Sequence, residues 1–154
     1  MDVEGEITVA APREAVFKAL SDAPFFASCI DGVRDLKQID ATRYGAMLET
    51  RIAYMRFTFR VMVEMSTVSP PEIIEAKLEG TPVGMVGRLT ATATTRLAET
   101  ANGTNIRYAI NATLTGKLGS MGQPVLRAKA REMEKQFSER MAVAFAPGGA
   151  RANA

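Results

Sequence analysis

The amino-acid sequence predicts an α+β fold, in which a curved antiparallel sheet of about seven strands wraps around a long C-terminal helix. Three observations carry this expectation. Apolar and polar residues alternate with period two through most of Val33 to Thr115. From Leu118 to Ala144 the apolar spacing changes to that of a helix. Between the first alternating segment and the rest lie two short stretches of helical character.

Val3, Ile7 and Val9 alternate with Glu4, Glu6 and Thr8, the pattern of a half-buried strand. Pro12 suits a helix start, Glu14 lies near the positive helix end, and Ala15, Val16, Ala19 and Leu20 follow at helical spacing. Ser21-Asp22-Ala23-Pro24 starts a second short helix through Phe25, Phe26 and Cys29, which Asp31-Gly32 ends.

Six strands are then expected. Val33 to Ile39 is weakly patterned, whereas Tyr44, Ala46, Leu48 and Ile52 share one face, with Glu49 and Arg51 on the other. Phe57, Phe59, Val61, Val63 and Met65 point inward against Arg56, Thr58, Arg60 and Glu64. Pro70-Pro71 interrupts, because proline cannot donate to a ladder. Ile74, Ala76 and Leu78 form the next inward face, followed by Leu89, Ala91, Ala93 and Leu97. Asn102-Gly103 signals a hairpin turn before Ile106, Tyr108, Ile110, Ala112 and Leu114. Leu118, Met121, Val125, Ala128, Met133, Phe137, Met141 and Ala144 then mark the long helix, with a start or kink at Pro124. Pro147-Gly148-Gly149 stops it, so residues 1–146 are expected as one domain and 147–154 as a disordered tail. This order is that of the helix-grip architecture, with a cavity expected between sheet and helix.

Composition narrows the functional classes. Hydrophobic residues make up 47% of the 154 residues, as in an ordinary globular chain. The net charge of +2, without a Lys/Arg run, gives no argument for nucleic acid as a partner. The chain has no His, the side chain most often recruited for proton transfer near neutral pH, and one Cys, too few for a thiolate zinc site. No metal or cofactor is therefore expected. The acidic start Met1-Asp2-Val3-Glu4 lacks the apolar core of a secretory signal, and no apolar stretch reaches the ~20 residues that span a bilayer. A cytoplasmic protein is expected.

Gly5-Glu6-Ile7-Thr8-Val9, followed by Ala11-Pro12-Arg13-Glu14-Ala15-Val16-Phe17, resembles the start of many START-like, polyketide-cyclase-type domains of the SRPBCC superfamily. Cys29-Ile30-Asp31-Gly32-Val33 is similar to the Cys-Ile-Pro-Gly stretch of the carbon monoxide dehydrogenase CoxG family, with Asp31 where that family usually has Pro. Gly116-Lys117-Leu118-Gly119-Ser120-Met121-Gly122 resembles the Gly-Lys-Leu segment that leads into the family's last helix. The resemblance implies a non-catalytic accessory protein that binds a hydrophobic ligand. It also implies association with a molybdenum hydroxylase, in handling a quinone or lipid or in peripheral attachment at the inner face of the membrane. Many members carry a C-terminal extension that reaches a membrane, whereas this chain is expected to end soon after the fold.

The candidate ligand-binding set comprises Leu48, Phe57, Phe59, Val61, Met65, Leu89, Ala91, Ala93, Tyr108, Ile110 and Ala112 from the strands, with Met133 and Phe137 from the helix. Small inward residues beside large ones can leave a dry void that accepts an apolar molecule. Alternatively, Met133, Phe137 and Met141 fill that space. The nine Met residues suit either a repacking surface or simple gap-filling. Gly80-Thr81-Pro82-Val83-Gly84-Met85-Val86-Gly87 reads as a gate, a membrane-touching tip or an ordinary long hairpin. Arg127, Lys129, Arg131 and Lys135 are diluted by Glu132, Glu134 and Glu139, and read as a solvated face. Asp31 with Asp35, or Glu49 with Glu64, would be the carboxylate pairs of a catalytic pocket, but strand parity sends Glu49 and Glu64 outward. Cys29 has no His to activate it and reads as structural. An aromatase/cyclase-like enzyme would have to rely on Tyr44, Tyr108 and Thr95, the inward polar groups of the sheet. A protein-only assembly chaperone is the third reading.

Overall fold

In a computed structural model, which describes residues 1–146, strand β1 (Asp2–Val9) is followed by helices α1 (Arg13–Leu20) and α2 (Ala23–Ser28). Strands β2 (Val33–Gln38), β3 (Arg43–Ile52), β4 (Met55–Ser69), β5 (Ile73–Pro82), β6 (Gly87–Thr100) and β7 (Gly103–Thr115) come next. Helices α3 (Gly116–Gly119) and α4 (Gln123–Ala144) complete the order. The expected tail, residues 147–154, lies outside the described residues.

The strands form one curved sheet in the order β1-β7-β6-β5-β4-β3-β2, antiparallel throughout. Strands β2 to β7 run as a meander, and β1 closes onto β7, so the alternation places one face of every strand toward the helices. Local chemistry sets the joints. The Asp22 side chain caps α2 by accepting the Phe25 N–H at 3.1 Å. In the turn from β2 to β3, Asp40 accepts from the N–H groups of Thr42 and Arg43 and from the Arg43 guanidinium. The Arg43 contact contributes most to holding the Asp40 carboxyl at about 2. Gly32 is required where it stands: its φ is +87°, and a Cβ would lie 2.0 Å from the Glu49 carbonyl oxygen.

One strand differs from expectation, and the helix start expected at Pro124 is found. Strand β5 continues through Gly80, Thr81 and Pro82, which pair with Val61, Arg60 and Phe59 of β4. The β5–β6 pairing ends at Gly80, so Pro82 sits where its missing N–H leaves no bond unmade on that side. Only Val83–Val86 remain as the link, a short turn instead of a long glycine loop. The C-terminal helical pattern is divided where that start was expected. Gly122, at φ +92°, separates α3 from α4, and Pro124 lies in the first turn of α4. The break resets the helical phase, so Leu126 is buried and Ala128 is exposed.

The core gathers at two ends of the concave face. At one end Ile7, Val9, Val16, Phe17, Leu20, Cys29, Ile74, Leu97, Ile106, Met141 and Phe145 join β1 and the middle strands to α1, α2 and the end of α4. At the other, Ile52, Phe57, Phe59 and Leu118 pack beneath α3 with Leu48, Met55, Val61, Met85, Leu89, Leu114, Met121 and Val125.

Candidate functional site

Between these two clusters the concave face is lined differently. The strand register defines one row across the sheet, Ala112–Ala91–Leu78–Val63–Tyr44. The adjacent row is Ile110–Ala93–Ala76–Met65. Ala76, Ala91, Ala93 and Ala112 are therefore contiguous and form a floor of methyl groups on β5, β6 and β7. Of these two rows, Met65 alone packs against a core cluster, and only Ala112 is fully buried. On α4, Ala130 and Met133 are half-buried and likewise belong to neither cluster. The helix approaches the sheet backbone most closely at β1 and β3, the two flanks of this floor.

The thirteen expected lining residues thus divide into three groups. Leu48, Phe57, Phe59, Val61 and Leu89 pack in the α3-side core, with the Phe57 and Phe59 rings stacked at 5.8 Å. Met65, Tyr108 and Phe137 pack against the other core, where the Phe137 ring meets that of Phe26 at 5.3 Å. Ala91, Ala93, Ile110, Ala112 and Met133 remain at the middle. Ala76, Leu78, Val63, Tyr44 and Ala130 join them there. Strand parity already placed the first four on this face; Ala130 lay outside the helical pattern because the apolar positions were read in one phase across the start at Pro124. Two surface hollows open elsewhere, one between the β1–α1 and β6–β7 turns, the other on the outer side of β1, β7 and β6. Tyr108 is the one residue of the expected set that borders either of them.

Glu134 departs from the solvated face on which the sequence placed it. It is half-buried, and its carboxylate accepts a hydrogen bond from the Tyr108 hydroxyl. The Tyr108 ring lies across Gly5 of β1, where a Cβ would stand 2.2 Å from its hydroxyl oxygen. Burial, then the Glu134 carboxylate that accepts from the protonated phenol, push the Tyr108 pKa well above that of an ordinary tyrosine. Tyr44 is raised too, by burial alone. On the other flank of α4, Asp31 receives Arg140 and Gln136, and its N–H donates to Gln136 Oε1 at 3.1 Å. The Asp31 carboxylate thus ties α4 to the turn after α2. Lys129 pairs with Glu132 at 2.6 Å, as the helical spacing predicts.

The remaining catalytic candidates are dispersed. Glu49 and Glu64 are exposed on the outer face, as are Arg51 and Arg60. Asp35 pairs with Arg34. Cys29 is buried, and burial, partly opposed by Ser28 and Arg140, raises its thiol pKa. Among the described residues no cluster of His, Cys, Asp or Glu could hold a metal ion, and no helix is long and apolar enough to cross a membrane.

The turns Ala53–Tyr54 and Val83–Val86 lie at the same end of the sheet, the α3 end. The Val83 N–H donates to the Thr58 carbonyl at 2.8 Å, and the Lys117 N–H donates to that of Val86 at 3.1 Å. Tyr54 is 90% exposed, Val86 85% and Val83 50%. Arg51 and Arg56 face each other in register beside Tyr54, and Lys117 stands beside Val86. Among the described residues none of these three cations has an acidic partner.

Sheet and helix define a helix-grip fold, in which a curved sheet holds a long helix over its concave face. Within that fold class, the chain belongs to the carbon monoxide dehydrogenase CoxG family, whose model matches residues 5–145. Solved structures share the fold. A conserved protein from Geobacillus kaustophilus superposes with a TM-score of 0.83 at 23% identity, covering 92% of each chain. A protein from Chromobacterium violaceum gives 0.70 at 16% identity, covering 95% of this chain and 97% of its own. The Zhui aromatase/cyclase from Streptomyces sp. R1128 gives 0.67 at 14% identity, covering 92% and 90%. No curated protein matches the sequence.

Proposed function

We propose that this protein is a non-catalytic accessory module that holds an apolar small molecule over the alanine floor and delivers it to a partner oxidoreductase. The observation that carries this reading is the division of the concave face. Its two ends are filled by core side chains, whereas the middle rows, four alanines among their residues, lie outside both clusters except at Met65 and stay half-buried except at Ala112. Apolar, partly covered surface of this kind gains free energy when a ligand removes it from water. Family membership supports the accessory role and makes a molybdenum hydroxylase of the carbon monoxide dehydrogenase type the partner to test. A quinone or a lipid is the ligand class that suits both the floor and such a partner.

The tip formed by Tyr54, Val83 and Val86 supports peripheral contact with a membrane, on its cytoplasmic side. Exposed aromatic and aliphatic side chains flanked by Arg51, Arg56 and Lys117 match an interface of acyl chains and anionic headgroups. The test is extraction of the purified protein with organic solvent, mass spectrometry of the extract, and binding of menaquinone and ubiquinone analogues. Retention or saturable binding of such a molecule supports the reading. An empty extract together with no binding contradicts it.

One observation favours a second reading, an aromatase/cyclase-like enzyme. Tyr108 and Glu134 are two ionisable groups that meet between sheet and helix. They close on each other against the filled end of the face, so the carrier reading stands first. Turnover of an aromatic polyketide precursor, abolished by Glu134→Gln, would reverse that order.

A further inference from the structure

The fold treats its two concave-face tyrosines differently. The Tyr108 hydroxyl is satisfied within the protein, because it donates to Glu134 across the gap between β7 and α4. Tyr44 is half-buried on β3, at the end of the row that runs through Val63, Leu78 and Ala91 to Ala112. Among the described residues nothing accepts a hydrogen bond from its hydroxyl, and its neighbours on the same face of β3 are Ala46 and Leu48. A phenol is protonated at neutral pH, and burial raises the Tyr44 pKa further, so the hydroxyl is a donor. The hydroxyl is not sealed from solvent, so it stays free to exchange water for an acceptor that lies on this face.

The charge pattern narrows what that partner is. The concave positions of the middle strands are Tyr44, Ala46 and Leu48, then Val61, Val63 and Met65, then Ala76 and Leu78. Leu89, Ala91, Ala93 and Thr95 follow on β6, and Tyr108, Ile110 and Ala112 on β7. None is a lysine or arginine, and the two partly covered cations of α4, Lys129 and Arg140, are paired with Glu132 and Asp31. A carboxylate placed on this face would go without a counter-charge, at a cost a neutral oxygen does not carry.

Resting on the reading of the middle rows as a ligand site, we propose that Tyr44 is its specificity-determining residue. Its hydroxyl donates to a neutral acceptor oxygen, a carbonyl or ether, of an otherwise apolar ligand. That bond fixes the oxygen-bearing end at the β3 flank, with the hydrocarbon lying over Ala91, Ala93 and Ala112. Hydrocarbons then bind through the floor alone, and acids of the same size are rejected.

The test uses three matched probes: 2-hexylnaphthalene, the ketone 1-(naphthalen-2-yl)hexan-1-one, and a naphthalene-hexanoate of similar length. Each displaces N-phenyl-1-naphthylamine from the wild type, from Tyr44→Phe and from Tyr108→Phe, with the urea midpoint of each variant measured alongside. The proposal expects Tyr44→Phe to lower the ketone-to-hydrocarbon affinity ratio about five-fold, the scale of one neutral hydrogen bond, with hydrocarbon affinity unchanged. Tyr108→Phe leaves the ratio as it is, and the carboxylate is the weakest of the three. An unchanged ratio in Tyr44→Phe, a drop in Tyr108→Phe instead, or tighter binding of the carboxylate overturns it. If the hydrocarbon itself fails to displace the dye, the ligand-site reading fails, and the assignment of Tyr44 falls with it. Should Tyr44→Phe not fold, Tyr44→Met is read against the same criteria.

Discussion

Replacing Ala91 by leucine asks whether the middle of the concave face is open or packed. Ala91 stands between Ala112 and Leu78 in register and belongs to neither core cluster. Leucine adds three carbons. At ~0.8 kcal/mol per buried CH₂, full burial in open space would contribute about 2.4 kcal/mol, and a half-buried site about 1 kcal/mol. Were the space already filled, the same carbons would force neighbours off their rotamers at a cost of about 1–3 kcal/mol. The two cases differ in sign. Urea unfolding followed by circular dichroism reads the difference, since with a slope of about 2 kcal/mol per M the midpoint rises by about 0.5 M if the floor is open. The same variant loses affinity for N-phenyl-1-naphthylamine, because the added side chain occupies the ligand's volume. A midpoint that falls by about 0.5 M or more, with dye binding intact, refutes the reasoning.

Further outcomes follow from the same geometry. Phe57→Ala empties a position that is 1% exposed and stacked on Phe59, so it should cost about 3–5 kcal/mol in urea unfolding, unlike any change at the floor. Cys29 should react with a thiol reagent only as the protein unfolds, since burial both covers the sulfur and raises its pKa; rapid reaction of the native protein would contradict this. Tyr44 and Tyr108 have folded-state pKa values raised above the unfolded value of about 10, so their contribution is fully present below that pH and is lost as pH rises further. Stability measured between about pH 9 and 11 should therefore fall, and fall less steeply in Tyr108→Phe. Tyr54→Ser combined with Val86→Ser should weaken sedimentation with anionic vesicles without moving the urea midpoint, since both side chains are exposed.

Strand parity was legible because it depends on nearest neighbours. Phe57, Phe59, Ala112 and Leu97 face inward as their period-two spacing dictates, and the hairpin signalled by Asn102-Gly103 forms one residue earlier, at Ala101-Asn102, with Gly103 opening β7. The site was less legible because it depends on which inward residues another element covers. Phe57 and Ala91 have the same parity, yet one lies under α3 and the other under neither cluster, a distinction set by where Gly122 breaks the helix. The Tyr108–Glu134 bond was hidden for a related reason. Glu134 reads as part of a charged surface until the phase of α4 is known, and only Gly5, a residue without a side chain, leaves room for the tyrosine ring. The extent of β5 was missed because glycine and proline signal a loop, whereas pairing with Arg60 and Val61 carries the strand through them.

Xenon enters apolar cavities and needs no knowledge of the natural ligand. Diffraction from a crystal under xenon pressure therefore tests most directly whether the alanine floor is open. The predicted result is an anomalous peak over Ala91, Ala93 and Ala112 beneath Met133, and loss of that peak in Ala91→Leu. Met133 packed onto the alanines, with no xenon between them, would contradict it.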